Sequence, residues 1–421
     1  MKKVTTLFLL MISCFAAMTQ TSELQQFYTQ AMEARNKGDN EKFYDYIMKA
    51  HAIHPYHQGI LYQAGIAAAL NKKNAEAIEY LKEAILIQSD FVLDIPELNA
   101  LKGTKEFEHL KEIKKNASNI IITSDTAFTI KDRSLHLESI TAAGENTFYG
   151  GSIHKRKIIK VENGVVSDFT KSGQDGLGSV FGVKVDLKRK ILWACSSPME
   201  EMEHYNAILP SAVFKYDLRT GKLLAKYLPE NPALQLVLGE ITINRKGEVY
   251  ASDSKSNLIF KVNEATGKLE QFYSSDEFWN IQGITFSDDG DFLFIADYIK
   301  GIFRLDMKDL KLSLLEKNFD LSLKAVDGLT FYKNTLLAIQ NYIKPMRVTQ
   351  YKLNEELDKI ISYKIIDQNH PAFHEPTLGS VIDDRYYYVA NSQWSGYDDK
   401  HNIKPSDQLQ DIVILRVDLR K

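Results

Sequence analysis

The chain has 421 residues, of which 44% are hydrophobic, and a formal net charge of −3. That length makes two domains the expectation, and the apolar content is that of a packed protein rather than a disordered one. The balanced charge offers no basic footprint for nucleic acid.

The first residues read MKKVTTLFLLMISCFAAMTQ, with Lys2 and Lys3 ahead of a short apolar run from Leu7 to Ala17. This is the pattern of an export signal over residues 1–19, and the run is short for a bilayer span. The mature chain is expected to be periplasmic or secreted, with no membrane span. An uncleaved anchor and lipid attachment at Cys14 are the competing readings. The other cysteine, Cys195, lies in the strand-like ILWACSS, so neither an internal disulfide nor a cysteine metal cluster is expected. A buried, inert thiol is the reading for Cys195.

From residue 22 to 116 apolar residues recur at three- and four-residue spacing, which predicts helices. A shift of 34 positions superposes Tyr28 on Tyr62, Ala31 on Gly65, Ala34 on Ala68, Tyr46 on Tyr80 and Ala50 on Ala84. Small residues at fixed slots let antiparallel helices approach closely, and the segment resembles two tetratricopeptide repeats. A further helix, Pro96 to Ile113, is expected to cap them. Such repeats imply a protein or peptide partner; a packing spacer is the alternative.

Over residues 117–421 the period changes to two, and strand-like runs return with short polar breaks. Second strands read TFYGGS, ILWACSS, EVYASDS, FLFIADY, TLLAIQN and YYYVANS; third strands read KIIKV, AVFKYD, LIFKV, GIFRLD, VTQYKL and IVILRVD. Four strands per unit and six units predict an all-β six-bladed propeller behind the α-helical domain. The last unit lacks a fourth strand, which Ile120 to Ile130 is positioned to supply.

In a propeller the innermost strand of each blade opens toward the central tunnel. The six openings hold Glu138, Phe181, Gly239, Gln282, Asp327 and Glu375. Three acids and an amide around one axis repel one another, and a hard divalent cation would compensate, Ca²⁺ foremost, with Mg²⁺, Mn²⁺ or Zn²⁺ as alternatives. Ordered water around axial polar groups is the other reading. A second ring follows the second strands: Ser152, Ser196, Asp253, Asp297, Asn341 and Asn391. Turn formation accounts for such residues locally; Asp253 and Asn341 are the members expected to reach a ligand. Two segments break the repeat, SSPMEEMEHYNAILPS and SQWSGYDDKHNIKPSDQLQD, and are candidate lids, the second carrying Trp394 and Tyr397.

The stretches QGITFSDDGDFLFIADYIKGIFRLD, VDGLTF and GEITINRKGEVYASDS resemble the senescence marker protein/gluconolactonase/luciferin-regenerating family over roughly Ser134 to Asp418. Strictosidine synthase and paraoxonase are broader relatives of that shape. The resemblance implies one divalent cation at the tunnel mouth, with Glu138 and Asp327 as ligands and Asp327 also as the base in lactone hydrolysis. Gln282 stands where the family has Asn, Gly239 replaces another Asn, and Glu240 sits where Asp is frequent. Glu375 lies outside the family's ligand set and is a candidate replacement ligand. Paraoxonase-like chemistry would use histidine instead, for which His374 and His154 are the candidates.

Two functions therefore compete. One is an exported, cation-dependent hydrolase of a lactone or ester, with Asp327 catalytic, Glu138, Gln282, Asp327 and Glu375 on the metal, and Glu240, Asp253, Asn341 and His374 on the substrate. The other is a non-catalytic propeller and repeat scaffold that binds a protein, peptide or small ligand.

Overall fold

A computed structural model describes residues 23–231 and 234–420; the signal-like residues 1–19, with Cys14, lie outside them. No helix among the described residues is long and apolar enough to cross a membrane. The chain divides into two units: one reaches Asn119 and includes Asp320–Ser322, and the other holds Ile120–Phe319 and the rest from Leu323.

The first unit is helical. Helix α1 covers residues 23–36. It is followed by α2 (Asn40–Ile53), α3 (Gln58–Leu70), α4 (Asn74–Ile87) and, after a 3₁₀ turn at Pro96–Leu101, α5 (Lys105–Ala117). Asp39 caps α2 by accepting Lys42 N–H at 3.2 Å, and Thr104 caps α5 by accepting Phe107 N–H at 3.3 Å. Gly65 shows why small residues recur here: a Cβ on it would stand 2.6 Å from Leu81 Cγ, so α3 and α4 pack backbone to side chain. The single helix expected from Pro96 to Ile113 is broken instead. Gly103 adopts φ +81°, which ends the 3₁₀ turn, and the Thr104 cap starts a new helix behind it.

The second unit is a propeller-like array of antiparallel meanders, built where side chains alternate between two buried faces. The first is Leu137–Gly144, Thr147–Ser152, Lys157–Glu162 and Val165–Asp168. The next two begin at Ser179–Asp186 and Leu238–Ile243 and join through their outermost strands, Leu223–Pro229 and Lys268–Ser274, which pair in parallel. Further meanders begin at Ile281–Phe286 and Val326–Tyr332. In the last, Gly379–Ile382, Arg385–Val389 and Ile412–Asp418 are completed by Asp125–Ile130, whose Ile130 faces Ile412. The strand expected to close the array from the other end of this domain does so.

Each innermost strand lies against the innermost strand of the next meander, and Gly379–Ile382 lies against Leu137–Gly144, so the inner strands form a closed cycle. Packed faces of neighbouring meanders make the core, as where Leu192 and Phe214 meet Tyr149 and Ile158. Glycines let the inner strands approach. A Cβ on Gly182 would be 2.9 Å from Gly239 O, on Gly283 2.6 Å from Asp327 O, and on Gly328 2.7 Å from Thr377 O. At these three openings the small residue is thus a packing requirement.

Candidate functional site

Five of the inner strands slip register at their opening. The shift falls between Leu137 and Ser139, Val180 and Val183, Leu238 and Ile241, Ile281 and Ile284, and Val326 and Gly328. A bulge turns the extra residue out of the ladder, here toward the axis. Glu138, Phe181, Gly239, Gln282 and Asp327 accordingly line one cavity of about 310 Å³. Glu375 lines it too, but not from a strand: its strand begins four residues later, at Gly379, and Glu375 holds a left-handed φ of +62° ahead of Pro376.

The acids share a region partly shielded from water, with Asp327 and Glu375 half-buried. Glu138 and Glu240 are each 8% exposed. Burial raises the Glu138 carboxyl well above the usual range, and the charges of Asp327 and Glu375 add to the effect. Asp327 is raised by burial and by Glu375, against the Asn341 hydrogen bond, and burial pushes Glu240 up to about 7 against the pull of Lys184. None of the residues lining this cavity is a lysine, arginine or histidine.

The hydrogen bonds show which atoms remain for a ligand. Asp327 Oδ2 accepts Asn341 Nδ2–H at 2.8 Å, leaving Oδ1 without a partner among the described residues. Gln282 Nε2–H donates to Asn280 Oδ1 at 2.5 Å, so its Oε1 is the free end. That Oε1 lies 3.9 Å from where a Cβ on Gly239 would stand, so the longer Gln282 reaches toward the space the missing side chain leaves. Glu240 Oε1 accepts Ile241 N–H at 3.3 Å, and Oε2 has no partner among the described residues. Glu375 Oε2 receives one long bond, from Ser395 N–H at 3.4 Å.

Both repeat-breaking insertions reach the cavity, through Met199 and Trp394. Trp394 Nε1–H donates to Glu138 Oε2 at 3.1 Å, and the Trp394 ring stacks on Phe181 at 6.4 Å. Across the cavity Tyr298 and Tyr342 stack at 6.1 Å, and the Tyr298 hydroxyl donates to Asn341 Oδ1. The insertions also meet each other: His401 sits between Glu200 and Glu201, each 2.8 Å from one ring nitrogen.

Several expected residues are elsewhere. The Asp253 carboxylate is wholly buried and accepts the N–H groups of Val237, Lys255 and Ser256 at 2.7, 3.2 and 3.0 Å, so it locks a turn and is not free for substrate. Asp297 does the same with Trp279, Asn280, Ile299 and Lys300. His374 does not line the cavity; its Nε2 lies 3.4 Å from Ser395 Oγ. His154 is occupied by the Glu201 carbonyl at 2.7 Å.

Tyr298, Tyr342 and His136 escaped the sequence reading. His136 lies two residues before Glu138 with φ +46°, its Nδ1 is 2.7 Å from the Tyr397 hydroxyl, and its Nε2 is 3.9 Å from Glu138 Oε2. Burial, with His154 nearby, pushes it down to about 3, so it is neutral and makes no ion pair with Glu138. The available signal was only that His136 stands two residues before Glu138; its left-handed backbone, just ahead of the strand that starts at Leu137, is not readable from that spacing.

Among the described residues, no three His, Cys, Asp or Glu side chains stand close enough together to hold a metal ion. The donors present are hard oxygens, the kind that suit a divalent cation, and the Gln282 amide oxygen is among them, but they are not gathered into a ligand set.

No protein-family profile and no curated protein matches the sequence. Solved structures are similar in shape. A gluconolactonase from Xanthomonas campestris has a TM-score of 0.47 at 11% identity, over 70% of this chain and 88% of that one. Virginiamycin B lyase from Staphylococcus aureus has 0.44 at 12%, over 67% and 80%. The PQQ-bound aldose sugar dehydrogenase from Streptomyces coelicolor has 0.46 at 12%, over 70% and 97%. These likenesses are remote and say nothing about chemistry.

Proposed function

We propose that this chain is an exported, divalent-cation-dependent hydrolase of a lactone or ester, carried on a six-bladed propeller behind two tetratricopeptide-like repeats. The observation that carries the reading is one cavity, lined by no cationic side chain, that Glu138, Gln282, Asp327 and Glu375 share, with an oxygen unpartnered on both Asp327 and Gln282. The closed cycle of inner strands supports six blades, and the signal-like residues 1–19 support export to the periplasm or beyond. Glu138, Gln282, Asp327 and Glu375 would hold the cation, Ca²⁺ by the hardness of the donors. When bound, it supplies positive charge that polarises the carbonyl.

The remaining work falls to the chain. Asn341 fixes the Asp327 carboxylate by its bond to Oδ2, and that carboxylate accepts the proton of the attacking water. The water oxygen bonds to the carbonyl carbon, the ring or ester C–O bond breaks, and the departing oxygen takes the proton back from Asp327. Trp394 holds Glu138 and, with Met199, narrows the mouth. The test is metal analysis of purified protein, then a panel of lactones and aryl esters with and without chelator. Turnover that chelator abolishes and Ca²⁺ restores is expected; metal-free protein with no turnover on any substrate refutes the reading.

The absence of a preformed three-acid cluster among the described residues favours a second reading, a non-catalytic binding propeller. In it the cavity binds a small ligand without turning it over, and the helical unit recruits a peptide or protein. Saturable ligand binding without turnover in the same panel would distinguish it.

A further inference from the structure

The ion set leaves Glu240 unused, and its position is unlike its counterparts. Ser139, Gly182, Gly283 and Gly328 occupy the matching slot in four other inner strands, where the next strand presses close. Here the slot holds a full carboxylate, 8% exposed, on a residue that lines the cavity; its Oε2 has no hydrogen-bond partner among the described residues, and Lys184 acts on it by charge alone. A buried carboxylate with an open oxygen is costly unless a donor carrying charge meets it. The neighbouring wall is apolar and aromatic. Gly182 packs against Glu240 Cα, and the adjoining Phe181 stacks with Trp394 at 6.4 Å and 26°. Met199, Val237 and Leu378 continue that wall. An ammonium group gains both from a carboxylate and from an aromatic face, whereas a second hard ion would find few oxygens there.

We propose that Glu240 forms a cation subsite: the ligand of this cavity carries a protonated amine beside a flat apolar group, and anionic ligands are excluded. The amine donates to Glu240 Oε2 while the flat group lies against Phe181 and Trp394. An anion meets four carboxylates and no lysine, arginine or histidine among the lining residues. A hydroxy acid formed in the cavity is repelled by the same charges, which aids its release. The inference rests on the cavity being the substrate site and is independent of the ion.

The test is calorimetric titration of the full chain with three matched probes: phenethylamine, 2-phenylethanol and phenylacetate. The amine should bind at least about tenfold tighter than the alcohol, the worth of one desolvated charge contact, and phenylacetate should not bind. Glu240→Gln should remove that advantage while holding the alcohol within about threefold, and Phe181→Ala should weaken amine and alcohol alike. Equal or tighter binding of phenylacetate, an unchanged amine preference in Glu240→Gln, or no binding of any probe to folded protein would each overturn the proposal. A parallel Ca²⁺ titration separates the two readings. Calcium without amine binding sinks the subsite and spares the ion; amine without calcium binding does the reverse.

Discussion

Replacing Glu240 by Gln tests the electrostatics of the cavity through stability alone. Burial raises this carboxyl from 4.5 to about 7. A carboxyl raised in the folded state contributes its full share to stability below pH 4.5, and that share is lost as the pH rises through 7. At about 1.4 kcal/mol per pH unit, the loss between pH 4 and pH 8.5 amounts to roughly 3 kcal/mol. Glutamine has nearly the same shape and does not titrate. The stability of Glu240→Gln relative to the parent should therefore climb by roughly 3 kcal/mol from pH 4.5 to 8.5. Urea unfolding in chelator, followed by the fluorescence of Trp193, Trp279 and Trp394, measures it; all three tryptophans lie in the propeller-like unit. A difference that stays flat with pH would show that Glu240 is not held out of water, and the argument for a charged subsite would fall with it.

The other outcomes concern the ring. Gly239→Asn adds an amide oxygen where nothing but Gln282 Oε1, at 3.9 Å, stands near the new Cβ, and calcium should bind about tenfold tighter by titration calorimetry; weaker binding would show that position 239 does not face the ion. Gly283→Ala drives a Cβ to 2.6 Å from Asp327 O and 2.7 Å from Leu329 N, and should cost at least about 2 kcal/mol in urea unfolding. A neutral result would mean that the inner strands are spaced more widely. Asp253→Ala strips three backbone N–H groups of their acceptor and should cost about 1–3 kcal/mol while leaving probe affinities unchanged. Loss of affinity at equal stability would return Asp253 to the ligand.

Much of this architecture is legible in the one-dimensional pattern, because each meander repeats the same physical demands. A small residue follows the strand opening because the next inner strand leaves no room for a Cβ, as at Gly283 and Gly328. The residue before it is thrown toward the axis by a bulge, which is why aligning the repeats brings Glu138, Gln282 and Asp327 together although they are far apart in the chain. Even the closing strand from before the first meander follows from counting strands in the last one.

Tertiary structure alone decided how atoms were allotted. Asp253 and Asn341 occupy the same slot of the repeat, yet Asp253 is consumed by its own turn while Asn341 turns to Asp327. No local pattern separates them, since both are turn formers and the outcome depends on which N–H groups the fold brings near. The same holds for Glu375, which reaches the cavity from a loop, and for Trp394, which arrives on an insertion. Periodicity encodes where a backbone must pass. The charge state and free valence of a side chain depend on its whole surroundings, and those exist only once the ring has closed.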